Sequence, residues 1–189
     1  MQAVTLADVE PYQQIARYSC GAAALKAVLK HWGEDVDERI LIREIGVDPE
    51  TGSTADQVAR AARARGYAAR VHRFSSIDEL ATYTNRGVPV IVAIRSFTRP
   101  DQGHFVVATR VNSHVEIMDP NVRGNRRVLT RREMDRRWRF RDYGGVIVQP
   151  RQRQRRTLGQ VDSSRARAVA LVVGLGAVVG AIIVAGMRR

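Results

Sequence analysis

The period of the apolar residues changes near Gly87, and that change limits the folds open to this 189-residue chain. Before it, helix-like segments end at glycines. Residues 20–32 read as a helix stopping near Gly33, and 36–45 as a second ending at Gly46. Ser53 or Thr54 opens a third, closed by Gly66. Residues 67–73 read as a strand, and Ser75 or Ser76 starts a helix to about Arg86. After Gly87 the pattern is β. The run 88–94 is dense in β-branched residues, and after a polar loop 104–111 and 114–118 form a hairpin around Asn112-Ser113. A short arginine-rich helix over 130–138 and a closing strand over 145–148 complete the domain. Helices first and an antiparallel sheet after them predict an α+β domain over residues 1–150.

The net charge of +12 is confined to the last third. Residues 1–120 hold 14 basic and 15 acidic side chains, 121–150 nine and three, and 151–189 eight and one. The arginine-rich stretch from Arg123 to Arg141 has the spacing of a solvated helix face with Trp138 turned inward. Residues 151–167 read as an arginine-rich linker, and 168–187 carry no charge at all. As a helix at about 1.5 Å per residue those last residues span roughly 30 Å, the thickness of a bilayer core. The excess charge therefore points to an anionic membrane surface and not to nucleic acid. Six arginines precede the apolar run and two follow it, so a single C-terminal membrane anchor with the domain on the cytoplasmic side is expected. Gly176 and Gly180 form a GxxxG pair on that helix, a candidate homodimer contact.

One cysteine, Cys20, excludes an internal disulfide and any multi-cysteine zinc site, and no signal peptide precedes it. No metal or other cofactor is expected. Ser19 reads as an N-cap, which puts Cys20 on the first turn of a helix, where the dipole and free N–H groups favour a thiolate. The position alone also suits a small buried hydrophobe.

A thiol nucleophile needs a base and a group that orients the base. His31 is too far along its helix, His72 reads as a surface residue among arginines, and His114 sits at the hairpin turn. His104 starts a strand after a glycine-containing loop. With a two-residue turn, Val111 opposes His114 and Val106 opposes Asp119. Asp119 then lies diagonally from His104 on one face, within side-chain reach. A strand-edge histidine near an Asp-Pro turn is the alternative. Gln14, six residues before the cysteine, can donate to an oxyanion beside the Cys20 N–H, with Gln13 as a competitor and a plain surface glutamine as the bland reading.

Gln14-x5-Cys20-Gly21-x-Ala23-Ala24-Leu25, then Gly103-His104-Phe105-Val106-Val107 and Ile117-Met118-Asp119-Pro120, resembles the peptidase domain of bacteriocin-exporting ABC transporters over about residues 10–145. These are papain-like cysteine peptidases that cut leader peptides after a double glycine. The resemblance implies Cys20 as nucleophile, His104 as base and acid, Asp119 as its orienting partner and Gln14 as oxyanion donor. It implies a peptide substrate and, because the chain carries no GxxxxGK phosphate loop, a separate transporter as partner. Ser19 stands where the family often has Asp. A catalytically silent peptide-binding module and a thioester-based acyl transferase are the competing functions.

Overall fold

The computed structural model describes residues 9–151 apart from 123 and 125. The described residues belong to one compact unit. The expected membrane anchor, its GxxxG pair and all but the first residue of the linker lie outside the described residues. Among the described residues, no helix is long and apolar enough to cross a membrane.

The elements in chain order are α1 (Cys20–His31), α2 (Glu38–Ile45), α3 (Ala55–Ala64), β1 (Ala68–Arg73), α4 (Ile77–Thr84) and β2 (Val90–Arg95). They continue as β3 (Gly103–Val111), β4 (His114–Met118), β5 (Arg126–Thr130), α5 (Arg131–Arg139) and β6 (Gly144–Gln149). The fold is α+β, built on one six-stranded sheet in the order β1-β6-β2-β3-β4-β5, with every neighbouring pair antiparallel.

Local sequence sets the helix ends. Thr54 and Gln57 form a reciprocal capping box at α3. Asp37 accepts from the Arg39 N–H at α2, and Gly46 (φ +71°) ends that helix in a left-handed conformation closed to most side chains. Ser19 occupies the N-cap position of α1, but its hydroxyl makes no capping bond. It turns back instead, donating to the Ala16 carbonyl at 2.9 Å and accepting the Ala16 N–H.

Helices cover both faces of the sheet. Ile91, Phe105, Val107, Met118, Val146 and Val148 share one core with residues of α1, α2 and α3. Val90, Val92, Ile94, Val106, Ala108, Ile117 and Ile147 face Leu80 of α4 and Met134 and Trp138 of α5. Residues of alternating parity thus enter two separate cores, which is why β2 reads as an unbroken apolar run.

Two features depart from the sequence reading. Residues 126–130 are an edge strand, not part of a helical face; β5 pairs with β4 from His114↔Thr130 to Met118↔Arg126. Two successive arginines and an exposed Val128 hide the period-two pattern of this strand. The hairpin turn also holds one residue more than expected: Val111 pairs with Val115, not with His114. A bulge at Thr109 then absorbs the extra residue, and Ala108↔Ile117 and Val107↔Met118 regain the expected register.

Trp138 anchors α5 to the sheet. It is fully buried, its ring stacks near Phe74 and Tyr143, and its indole N–H donates to the Gly144 carbonyl at 2.9 Å. Trp138→Ala is expected to lower unfolding free energy by about 3–5 kcal/mol in urea titrations, against under about 0.5 kcal/mol for exposed Arg132→Ala.

Candidate active site

The first turn of α1 meets the start of β3. Cys20 opens α1, so its backbone N–H has no acceptor within the helix. Gly21 is required next to it, because a Cβ there would collide with the Ser53 hydroxyl. The sulfur receives the backbone N–H groups of Gly21 and Phe105 and the side chain of His104. His104 lies opposite Ile94 in the β2–β3 ladder and is 7 % exposed. Its Nε2 is 2.7 Å from Asp119 Oδ1, which leaves Nδ1 for the cysteine.

Asp119 follows β4 directly and is 1 % exposed. Both of its oxygens are bonded: Oδ1 also accepts the Asn121 N–H at 3.0 Å, and Oδ2 accepts Arg127 Nε at 2.8 Å. Arg127 comes from β5, the strand that sequence reasoning missed. Its guanidinium lies 4.1 Å from the Phe97 ring centre, and the Arg137 guanidinium lies 3.9 Å from it. Phe97 thus packs against both cations, and Arg137 is itself paired with Glu133.

The protonation states follow from these contacts. Burial pushes the Cys20 thiol up, but the hydrogen bond and charge of His104, with the N–H groups of Phe105 and Gly21, outweigh it and hold the thiol below its ordinary value. Burial likewise opposes charge on His104. The bond to Asp119 and the hydrogen bond and charge of Cys20 reverse that and raise the imidazole to about 9. Burial pushes Asp119 up, and His104, the Asn121 N–H and Arg127 bring it below the usual carboxylate range. These contacts favour the thiolate–imidazolium form of the pair.

Gln14 sits in the loop before α1. Its Nε2 donates to the Ala16 carbonyl at 2.7 Å and its backbone N–H donates to the Pro120 carbonyl at 2.9 Å, next to Asp119. Its Oε1 is buried without a partner. Gln14 is not among the residues lining the cleft described below. The Ile15 N–H of the same loop donates to Glu38, a carboxylate 1 % exposed at the start of α2. That tie had no sequence signal, since Glu38 reads as an ordinary first-turn acid.

The other histidines are engaged elsewhere: His31 bonds the Gly87 carbonyl, His72 pairs with Glu79 at 2.7 Å, and His114 contacts Ser113. His72 is less exposed than its arginine-rich strand suggested, at 25 % for the side chain. A cleft of about 840 Å³ opens over Cys20 and His104, walled by Tyr18, Ser53, Gly103 and Arg141 among others. Among the described residues, no group of three or more His, Cys, Asp or Glu is placed to hold a metal ion.

The sequence matches the profile of the Peptidase C39 family over residues 8–143, well over half of the chain. The chain belongs to the Peptidase C39 family. Among solved structures it is similar to the peptidase domain of Streptococcus ComA, a bi-functional ABC transporter involved in a quorum-sensing pathway. That likeness has 23% identity and a TM-score of 0.64, covering 74% of this chain and 96% of that one. It is also similar to a double glycine motif protease from an AMS/PCAT transporter in complex with the leader peptide, with 26% identity and a TM-score of 0.63 over 77% of this chain and 94% of that one. A putative C39-like peptidase from Bacillus anthracis shares 18% identity with a TM-score of 0.64, covering 80% and 99%. Comparison with curated protein sequences returns no match.

Alkylation by iodoacetamide should read out the ion pair. Cys20 is expected to keep its reactivity further toward acid pH than an ordinary thiol, because its thiol is held below the usual value. In His104→Ala that acid-side reactivity is expected to disappear. Equal pH profiles in the two proteins would contradict the assignment.

Proposed function

We propose that the protein is a cysteine peptidase in which Cys20, His104 and Asp119 act as a triad on a peptide bond. The observation that carries this is the buried Cys20–His104–Asp119 contact, in which His104 lowers the thiol and Asp119 with Cys20 raises the imidazole to about 9. Family membership supports the reaction class. The leader peptide bound by the similar double glycine motif protease supports a leader-like peptide as the substrate class.

In this reading the Cys20 thiolate attacks the scissile carbonyl carbon. Negative charge collects on the carbonyl oxygen, where the unpaired Cys20 N–H is the first donor. Gln14 is the second, using the amide hydrogen that Ala16 does not take, after a shift of its side chain toward the cleft. The imidazolium of His104 gives its proton to the departing amine, and the C–N bond breaks to leave a thioester. Water enters, His104 takes a proton from it, and hydroxide displaces the thiolate to free the new carboxylate. Asp119 keeps Nε2–H engaged throughout, so that Nδ1 carries the moving proton. Arg127 and the Asn121 N–H hold Asp119 ionised for that task.

The uncharged run 168–187 supports a place for this chemistry. It acts as a single-pass anchor, and the arginines before it keep the domain on the cytoplasmic side. Protease added outside sealed vesicles is then expected to spare the domain; its digestion there would overturn the orientation.

Activity should depend on pH as a bell. The acid limb marks loss of thiolate. The alkaline limb falls near pH 9, as the imidazolium loses the proton the leaving amine needs. Cys20→Ser is expected to abolish cleavage of Gly-Gly-containing peptides, and His104→Ala to reduce kcat by at least about a thousandfold. Product masses showing an amine in place of water on the new carboxyl end would indicate transfer instead. Unaltered function of Cys20→Ser in cells would indicate a binding module.

A further inference from the structure

Among the described residues, several arginines around the end of α5 are ion-paired, while exposed Arg136 and Arg141 are not. Arg137 takes Glu133, Arg139 takes Asp135, and Arg73 reaches across from β1 to Asp142. Arg141 stands among them and, among the described residues, has no carboxylate partner. Its guanidinium lies instead across Gly103, the residue before His104. A Cβ on Gly103 would come within 2.6 Å of Arg141 Nε and 2.8 Å of its Cζ. Only glycine at 103 permits an approach this close.

The backbone around Arg141 is held in a costly shape. Asp142 and Tyr143 are both left-handed, with φ 49° and 56°, and neither is glycine. The shape is kept by the Tyr143 N–H on the Trp138 carbonyl, the Gly144 N–H on the Arg141 carbonyl at 2.8 Å, and the Phe74 N–H on the Tyr143 carbonyl. A turn fixed at this expense sets an exposed guanidinium, 5.1 Å from the Phe140 ring centre and without a carboxylate partner, in the wall of the cleft over Cys20 and His104. Arg17 lines the same cleft without a carboxylate partner, and Arg99 bonds the amide of Gln102. Glu50 and Asp101 are also on its walls, but neither is in an ion pair with these arginines.

We infer that Arg141 is a specificity-determining residue whose guanidinium binds a carboxylate of the peptide close to the scissile bond. A planar fork of N–H donors beside the reacting groups matches a carboxylate in two parallel bonds. The inference rests on the peptidase reading of the cleft. The carboxylate has two possible sources, an Asp or Glu side chain of the peptide and its free C-terminus.

The test uses the full chain and blocked octapeptides with a central Gly-Gly and Gln elsewhere. Each Gln is replaced in turn by Glu, and the unsubstituted peptide is also made with a free C-terminal acid. The wild-type protein is expected to gain about tenfold in kcat/KM for at least one of these changes. The responding position identifies the source: an internal Glu or the terminal acid. In Arg141→Gln that ratio should fall to about one, and in Arg141→Lys it should survive in part. A ratio near one for every peptide with the wild-type protein, or a ratio unchanged in Arg141→Gln, would overturn the inference. Fluorescence anisotropy with the full-length Cys20→Ser variant separates the two readings. Binding that prefers acidic peptides and needs Arg141, with no cleavage by the wild-type protein, would leave the inference standing and remove the peptidase reading. Cleavage without charge preference would do the reverse.

Discussion

The site depends on the buried contact between Cys20 and His104. A thiol in the position of Cys20 is pushed toward neutrality by burial, and an imidazole 7 % exposed is pushed the same way. Placed in contact, each stabilises the charge of the other. A pair of this kind survives burial only when its remaining hydrogen-bonding groups are satisfied. Here the second imidazole nitrogen ends on Asp119, both oxygens of Asp119 are bonded, and backbone N–H groups meet the sulfur.

The two-faced sheet is what brings these groups to one place. The α1 helix packs against β3 through Phe105 and Val107, so its first turn lies at the beginning of that strand. On the opposite face, Trp138 fixes α5, and β5 ahead of it delivers Arg127 to Asp119. An edge strand two places along the sheet from β3 therefore still bears on the chemistry of Cys20, through Asp119 and then His104.

Much of this was legible in the sequence because local signals agreed. Glycine stops and Ser or Thr caps placed the helices to within a few residues, and the β-branched run placed β2. The pairing of His104 with Asp119 was inferred from a hairpin register that proved correct beyond Thr109, although the turn itself holds an extra residue. Two errors cancelled, since a bulge leaves no mark in a strand buried on both faces. Arg127 and β5 were hidden because arginines on an edge strand look like those on a solvated helix. Ser19 fits the residue statistics of a cap yet bonds backward to Ala16, a choice made by the loop that carries Gln14. Tertiary contacts between distant segments, such as Ile15 with Glu38, have no local signal at all.

The shared ionisation of Cys20 and His104 is the central claim, and NMR titration of the His104 ring tests it directly. In the wild-type protein the ring should lose its proton near pH 9, and in Cys20→Ala its midpoint should fall clearly below that value. An ordinary histidine midpoint in both proteins would contradict the account.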